Sequence, residues 1–311
     1  MPLSSTGANR QKDSYVLITP ARNEEAYIEK PLQSIVVQTI LPKEWVIVSD
    51  NSSDRTDDIA RSYCRNYDFV RLVRIEGQSQ RNFNAKVNAF NVGYQEVKHI
   101  DYSFIGILDA DVSLYPDYYQ RVLKKFRNDK TLGLAGGVRY DLYKGKFEKV
   151  LCSRNSVGGP FQLFRRECFE EIGGFWPQKI GGEDAIAEIM ARMHGWKVES
   201  FPEIKVYHYR WTGGATGNVM RASFLNGEKG YLLGYSPLFQ IARCIYSFRQ
   251  KPYNFNSLFS LIGYFVAMLK RYQRTVPEDY LVYFRQEQKT RLRSLLSEWK
   301  ARKNPDSDDI N

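Results

Sequence analysis

The sequence predicts an α/β fold, in which a mostly parallel sheet is flanked by helices and followed by a C-terminal helical extension. Apolar runs typical of buried strands alternate with segments whose apolar residues recur at helical spacing. Polar clusters follow the strands at their carboxyl ends, where the ligand crevice of such a sheet lies. With 311 residues and 43% hydrophobic content, the chain can form one large domain with an appendage.

Strands and helices are predicted to alternate from residue 15 onward. The first helix follows from Ile28, Leu32 and Ile35, which lie three or four residues apart. In chain order the predicted elements are a strand in YVLITPARNEE, a helix from Ala26 to Gln38, a strand in EWVIVSD, a helix from Asp57 to Tyr67, a strand in FVRLVRI, a helix from Asn82 to Val97, a strand in SFIGILDAD and a helix from Tyr118 to Phe126. This order indicates a parallel sheet covered by helices.

Charge and cysteine content limit the function classes without choosing one. The net charge is +10, and residues 206–311 carry 16 basic against 8 acidic residues, so the C-terminal part could meet nucleic acid, anionic lipid or an anionic substrate. Four separated cysteines with no C-x-x-C pair indicate neither a zinc site nor a disulfide framework. The polar N-terminus lacks the apolar core of a signal peptide, so we expect a cytoplasmic protein.

Two aspartates, Asp109 and Asp111, end the apolar run FIGILDAD as a D-x-D motif. The pair could mark a strand end that returns to solvent, or Asp111 could cap the helix from Tyr118. It could also bind Mg²⁺ or Mn²⁺, which take carboxylate and substrate phosphate oxygens. Residues 20–24 and Asp50 also follow strands, so three polar clusters converge and favour a metal beside a nucleotide.

The ordered motifs resemble those of an inverting family 2 glycosyltransferase with the Rossmann-like GT-A fold. They are TPARNEE at 19–25, VSDNSSDRT at 48–56, NAKVNAFNVG at 84–93, LDADV at 108–112, FRRECFEEIGGF at 164–175, GGED at 181–184 and VYHYR at 206–210. The resemblance implies a hexosyltransferase-type enzyme that moves one sugar from a nucleotide-diphosphate sugar to a hydroxyl acceptor with Mn²⁺ or Mg²⁺. We expect that acceptor to be a lipid-linked or cell-envelope saccharide, as in polysaccharide biosynthesis.

The resemblance also implies which residues hold the metal and the donor. Asp111 is the expected direct metal ligand, and Asp109 is a ligand through water or a contact to the ribose. His208 is expected to complete the coordination shell of the metal, although a histidine at a strand end also serves structural roles. The expected donor contacts are Asp50 to the base, Glu24 to the ribose, Pro20 and Ala21 through their backbone, and Arg22, Asn23, Lys86 and Gly182 nearby. Asp50 could instead only cap the turn that follows it.

An inverting transfer needs one carboxylate to accept the proton of the acceptor hydroxyl. Glu183 and Asp184 follow two glycines that let the backbone approach the sugar closely. Acids are also favoured at a helix N-terminus by the helix dipole, and the two explanations are compatible. By resemblance Asp184 is the base, and Glu183 supports acceptor or donor hydroxyls.

We expect four parts in the chain, of which the resemblance covers residues 15–211. They are a flexible N-terminus at 1–13, a catalytic domain at 14–211 with a nucleotide-binding half (14–112) and an acceptor-side half (113–211), a helical, basic region at 212–303, and a disordered tail at 304–311. The apolar window Leu258 to Leu269 is too short to cross a bilayer. It is either a buried helix or part of a hairpin lying on an anionic membrane, and we favour peripheral attachment to the inner face of the cell membrane.

Other functions remain open from the residues alone. The segment VYHYRW lacks the Gln of the processive Q-x-x-R-W signature, which favours single addition. A sugar nucleotidyltransferase would share the sheet and the metal, but TPARNEE lacks the glycine-rich loop that binds a triphosphate. A basic RNA- or lipid-binding protein is the third alternative. No ribonucleoprotein signature is present, so we expect no nucleic acid partner.

Overall fold

The computed structural model describes residues 13–76, 84–150, 152–178, 181–210, 219–249 and 256–303. The chain divides into two compact units, Met1–Thr212 and Gly213–Asn311. The predicted flexible N-terminus, apart from residue 13, lies outside the described residues. So do the start of the helix predicted from Asn82 and the tail at 304–311.

The described part of the first unit is built on a nine-stranded sheet. Its strands are β1 (Tyr15–Ala21), β2 (Glu44–Asp50), β3 (Val70–Ile75), β4 (Phe104–Ile107), β5 (Val112–Leu114), β6 (Leu132–Tyr143), β7 (Lys146–Lys149), β8 (Leu163–Arg165) and β9 (Lys197–His208). The strand order is β3-β2-β1-β4-β8-β6-β9-β5, and β7 pairs with β6.

Strand direction differs between the two halves of the sheet. The four strands β3, β2, β1 and β4 are parallel, which confirms the α/β class predicted from the alternating elements. Beyond β4, the pairs β4–β8, β8–β6, β6–β7 and β5–β9 are antiparallel, whereas β6–β9 is parallel. Because the first four strands share a direction, the residues that follow β1, β2 and β4 lie at one edge of the sheet.

Six helices accompany these strands in the described residues. They are α1 (Glu29–Val36), α2 (Thr56–Cys64), α3 (Asn84–Val97), α4 (Tyr118–Asn128), α5 (Arg166–Glu171) and α6 (Glu183–Met193). The α4 helix buries Tyr118, Val122 and Phe126 at intervals of four residues, so one apolar face packs inward. Gly93 of α3 packs so closely on the sheet that a Cβ there would lie 2.6 Å from Ile18 Cγ2.

The position of Asp111 fits neither a cap of α4 nor a strand end that returns to solvent. The α4 helix begins at Tyr118, and its N-cap residue is Asp117, so Asp111 caps nothing there. Asp111 lies directly before β5 and is only 7% exposed, which is not the position of a residue turning into solvent.

The described part of the second unit is helical. Its helices are α7 (Val219–Leu232), α8 (Pro237–Arg249), α9 (Asn256–Leu269) and α10 (Glu278–Lys303). The α7 and α9 helices cross at glycines, because a Cβ at Gly227 would lie 1.9 Å from Ser260 O and one at Gly263 would lie 2.0 Å from Phe224 O. The described helices include none that is both long enough and apolar enough to span a bilayer.

Candidate active site

A cleft of about 210 Å³ lies in the first unit where β1, β2 and β4 end. It brings together eight of the residues predicted from the motifs: Pro20, Ala21, Arg22, Glu24, Asp50, Lys86, Asp109 and Asp111. The other lining residues are Ala85, Ala89, Ala110 and Arg210. Acidic and basic side chains therefore share one small cleft, and their pairing determines what it can bind.

The β1 and β2 ends are joined by side chains. Arg22 Nη1 lies 3.3 Å from Asp50 Oδ2, and Asp50 is 5% exposed. Asn23 does not line the cleft. It adopts a left-handed backbone (φ 54°), and its Oδ1 accepts a hydrogen bond of 2.8 Å from the Ser53 N–H. Asn23 thus holds the two loops together, and its predicted contact with substrate stays a prediction.

Lys86 and Asp109 form an ion pair inside the cleft, with Nζ 2.7 Å from Oδ1 and 2.9 Å from Oδ2. Burial alone would lower the pKa of Lys86, but the negative charges of Asp109 and Glu183 raise it above its ordinary value. Burial raises the pKa of Asp109, and Lys86 limits that rise. Lys86 therefore remains a fixed positive charge in the cleft.

Asp111, His208 and Asp141 are brought together by the register of three strands. In the sheet, His208 of β9 pairs with Asp141 of β6 on one side and with Val112 of β5, next to Asp111, on the other. His208 Nε2 lies 3.4 Å from Asp111 Oδ1, and Nδ1 lies 3.0 Å from Asp141 Oδ1. Burial disfavours charge on the ring, but these two carboxylates raise the pKa of His208 to about 9.

Arg210 ends the VYHYR motif and lines the cleft, but it is not among the residues predicted to bind donor or metal. It donates a hydrogen bond to Glu24, and its Nε lies 3.4 Å from Asp111 Oδ2. Burial opposes charge on Asp111, yet the hydrogen bond to His208 and the charges of His208 and Arg210 hold the pKa of Asp111 below its ordinary value. Asp111 is therefore an anion facing two cationic groups.

The GGED motif places two acids at the start of α6. Gly182 precedes the helix with φ 104°, a conformation that favours glycine. Glu183 Oε2 accepts a hydrogen bond of 2.8 Å from the Gly182 N–H. Asp184 lies against Gly159, where a Cβ would fall 2.4 Å from Asp184 Oδ2. The predicted helix N-terminus is thus present, and it carries both acids.

Asp184 is linked to the cleft through the segment after Gly159. The Asp109 N–H donates a hydrogen bond of 2.8 Å to Pro160 O. The charges of Glu183 and Asp184 both act on the Lys86 ammonium. The two acids thus influence the cleft electrostatically, although Gly182, Glu183, Asp184 and His208 are absent from its lining.

Residues 16–188 match the family model described as glycosyl transferase family 2. The match covers more than half of the chain. The chain belongs to this family. It is therefore a family 2 glycosyltransferase, as the ordered motifs predicted, and the alternatives of a nucleotidyltransferase and a non-catalytic binding protein find no support.

This family 2 glycosyltransferase resembles a polymer synthase over part of its length. It is 24% identical over 199 residues to the poly-beta-1,6-N-acetyl-D-glucosamine synthase of Staphylococcus aureus, covering 58% of this chain and 46% of that protein. The corresponding synthase of Staphylococcus epidermidis is 24% identical over 217 residues, covering 63% and 48%. The chain thus spans about half the length of these curated relatives.

Solved structures of the same type share the fold. A mannosyltransferase from Pyrobaculum calidifontis in complex with GDP-Man and Mn²⁺ has a TM-score of 0.53 and 18% identity, covering 86% of this chain and 77% of that one. Residues 1–349 of Staphylococcus aureus TarS in complex with UDP-GlcNAc have a TM-score of 0.53 and 14% identity, covering 83% and 73%. The predicted GT-A fold is confirmed.

Asp111, which lines the cleft, and His208 beside it fit a divalent cation. Asp111 and His208 converge to 3.4 Å, and Asp141 holds the far nitrogen of the ring, the arrangement that orients metal-ligating histidines. The described residues include no group of three or more His, Cys, Asp or Glu side chains able to hold a metal by themselves. Mg²⁺ and Mn²⁺ commonly bind through one or two protein ligands plus substrate phosphates, so this small donor set is sufficient.

Proposed function

We propose that the chain transfers one sugar, with inversion, from a nucleotide-diphosphate sugar to a hydroxyl of a saccharide, with a divalent cation bound at Asp111 and His208. The observation that carries the proposal is the cleft itself. Within about 210 Å³ it combines the strand-end backbone at Pro20 and Ala21 with the carboxylates of Asp50 and Asp109. Such a cleft suits a nucleoside at one end and a charged diphosphate at the other.

The base, the ribose and the diphosphate of the donor each have a matching group in the cleft. Asp50, which is buried and held by Arg22, accepts from the base. Glu24 accepts from ribose hydroxyls, and burial raises its pKa despite the opposing charge of Arg210. Lys86 keeps its positive charge and attracts the diphosphate.

A bound Mn²⁺ or Mg²⁺ would neutralise charge that develops on the departing diphosphate. Asp111 would supply a carboxylate oxygen, and His208 would supply Nε2 after losing its proton there. Asp141 would keep the ring oriented through Nδ1. Asp109 remains paired with Lys86, and it would either bind the cation through a water molecule or contact the ribose.

Asp184 is the proposed general base. Its carboxyl lies at the N-terminus of α6, packed on Gly159, while Lys86 carries positive charge nearby. It accepts the proton of the acceptor hydroxyl as the oxygen attacks the anomeric carbon opposite the diphosphate. Glu183 orients hydroxyls beside it. We keep single addition to a lipid-linked or cell-envelope saccharide as the proposed reaction.

A thermal-shift panel of nucleotide sugars tests the donor and the metal together. We expect at least one donor, with UDP-GlcNAc and GDP-mannose as the first probes, to raise the melting temperature only when Mn²⁺ is present. At a concentration 100 times the dissociation constant the gain is about 2.7 kcal/mol. Equal melting-temperature shifts with and without Mn²⁺ would contradict the proposed metal dependence. If no nucleotide sugar shifts the melting temperature, the proposed donor class is wrong.

We also propose that the second unit attaches to an anionic membrane surface through α8 and α9. Exposed apolar residues recur on one side of each helix, with Leu238 and Ile245 seven apart and Leu258 and Leu269 eleven apart. Exposed Lys270 and Arg271 follow α9. Apolar side chains flanked by basic residues are typical of interfacial helices.

A third basic residue after α9, Arg274, contacts Tyr231 of the same unit. Arg274 Nε donates a hydrogen bond of 3.0 Å to Tyr231 O, and its guanidinium lies 4.2 Å from the Tyr231 ring centroid. Removing Arg274 would therefore disturb packing, so it is left unchanged in the test of membrane binding.

Liposome co-sedimentation tests the membrane proposal. We expect the full chain to bind anionic vesicles at low salt, and to bind less as salt rises, because each basic residue near the surface adds about 1 kcal/mol and is screened. The double variant Lys270→Gln with Arg271→Gln should bind more weakly than Lys289→Gln with Arg293→Gln, which removes the same charge from α10. Failure of the full chain to bind anionic vesicles at low salt would reject the proposal.

A further inference from the structure

Glu188 is a buried carboxyl for which the proposed reaction gives no role. It lies one turn after Asp184 in α6 and is 6% exposed. Its Oε1 accepts hydrogen bonds from the Val157 N–H at 2.7 Å, the Ser156 hydroxyl at 3.2 Å and the Gln162 amide at 3.4 Å. Acidic side chains are seldom so buried without a hydrogen-bonded cation, and these three donors are neutral.

The three donors belong to segment 156–162, which also contacts the proposed base. Gly159 lies against the Asp184 carboxyl, with room for no side chain between them. Pro160 O accepts the Asp109 N–H, and Gln162 Nε2 reaches Asp184 O at 3.5 Å. The segment therefore touches Glu188 at its two ends and Asp184 at its centre.

We infer that Glu188 is a positioning residue, which anchors segment 156–162 against the Asp184 carboxyl and so fixes the base for proton transfer. The inference rests on the proposed function, because the role of Asp184 as base is itself proposed. A displaced reacting group is costly, since a shift of about 1 Å can lower turnover roughly 100-fold.

The protonation of Glu188 suits this role. Burial first, and the negative charge of Asp184 second, raise the pKa of Glu188 to about 8, against the opposing effects of the Val157 N–H, Arg192 and Ser156. Glu188 is therefore mostly neutral at pH 7, and it adds no second negative charge one turn from the base. Asp184 and Arg192 are the charged groups that act most strongly on it.

Two substitutions separate anchoring from simple stability. Glu188→Gln keeps an acceptor oxygen at the same place, whereas Glu188→Ala removes it. We expect Glu188→Ala to lower kcat roughly 10- to 100-fold with the donor KM nearly unchanged, and Glu188→Gln to restore most of the loss at pH 7. Met190→Ala, which leaves a cavity on a buried side of the same helix, is the matched control and should destabilise the fold without a comparable loss of kcat.

Hydrogen exchange gives a readout that needs no substrate. The Val157 amide should exchange faster in Glu188→Ala than in wild type or in Glu188→Gln, because only the alanine variant lacks its acceptor. The probe for turnover is release of UDP or GDP from UDP-GlcNAc or GDP-mannose, with water as acceptor where no saccharide is known. Unchanged Val157 exchange, or unchanged kcat, in Glu188→Ala would overturn the inference.

The pH dependence of protein stability tests whether Glu188 is neutral in the folded state. The pKa of Glu188 rises from 4.5 to about 8 on folding, so between these values the folded state keeps a proton that the unfolded state has released. The contribution of Glu188 to stability is thus full at low pH and is lost as pH rises through about 8. The melting temperature of wild type should fall relative to that of Glu188→Gln from pH 5 to pH 9, and parallel curves would overturn the neutral role.

The fate of Asp184→Asn distinguishes the two levels of inference. If Asp184→Asn retains turnover, the proposed base is wrong, whatever Glu188 does. If Asp184→Asn loses turnover while Glu188→Ala keeps it, the base stands and only the positioning role fails.

Discussion

Replacing Asp111 with asparagine is expected to abolish metal-dependent donor binding. The substitution removes an anionic oxygen ligand and leaves His208 and Arg210 facing each other without the carboxylate between them. Isothermal titration with Mn²⁺ and the donor found in the thermal-shift panel measures the loss. Circular dichroism shows whether the fold is kept.

A matched control is needed because Asp111 is buried and ion-paired. Asp57 is 4% exposed and paired with Arg74 and Arg61, and it does not line the cleft. Asp57→Asn should lower stability by a similar mechanism while donor binding persists. If Asp111→Asn binds the donor as wild type does, with the same response to Mn²⁺, the metal assignment is wrong.

Replacing Asp184 with asparagine is expected to lower kcat by roughly 10² to 10⁴ with donor affinity unchanged. This is the range for loss of a general base. The proposed donor site is the strand-end cleft, whose lining does not include Asp184. Steady-state turnover and donor titration on the same preparation separate the two quantities.

Glu183→Gln is the control for Asp184→Asn. It removes one negative charge from the same helix N-terminus, where such a charge contributes about 0.3 to 1 kcal/mol. Because Glu183 is proposed to orient hydroxyls and to take no proton, Glu183→Gln should lower kcat less than Asp184→Asn does. Parallel loss of donor binding and turnover in Asp184→Asn would indicate a structural cap instead of a base.

The first half of the fold could be predicted because its elements are local. Helical spacing indicates α1 and α4, and apolar runs that end in polar turns indicate β1, β2 and β4, within a few residues of their observed bounds. The antiparallel pairing of β6 with β8 could not be predicted in this way. It joins residues far apart in the chain, such as Leu134 and Phe164, and no local pattern encodes that pairing.

Most of the site was predicted where residue type and strand end coincide, whereas Lys86 of α3 was predicted from the resemblance alone. Asp50, Asp109 and Asp111 follow apolar runs, and all three line the cleft. Arg210 was missed because its partner Glu24 lies 186 positions away. Its signal was its place at the end of the VYHYR motif, two residues after the predicted ligand His208.

Glu188 and Asp141 were missed for a different reason. Glu188 lies in the amphipathic pattern of α6, where a single acid is expected to face solvent. Only the packing of segment 156–162 buries it. Asp141 becomes a partner of His208 only through the register of β6 and β9, which the sequence does not specify.

The glycine contact between α7 and α9 affects how variation among related sequences should be interpreted. Gly227 and Gly263 lie so close to carbonyl oxygens of the opposite helix that a Cβ at either position would clash with them. Larger residues are therefore excluded at both positions on steric grounds alone, although neither glycine lines the cleft. An invariant position in an alignment of related sequences can therefore reflect either a chemical role or close packing. Comparing the position with the lining of the cleft tells the two apart.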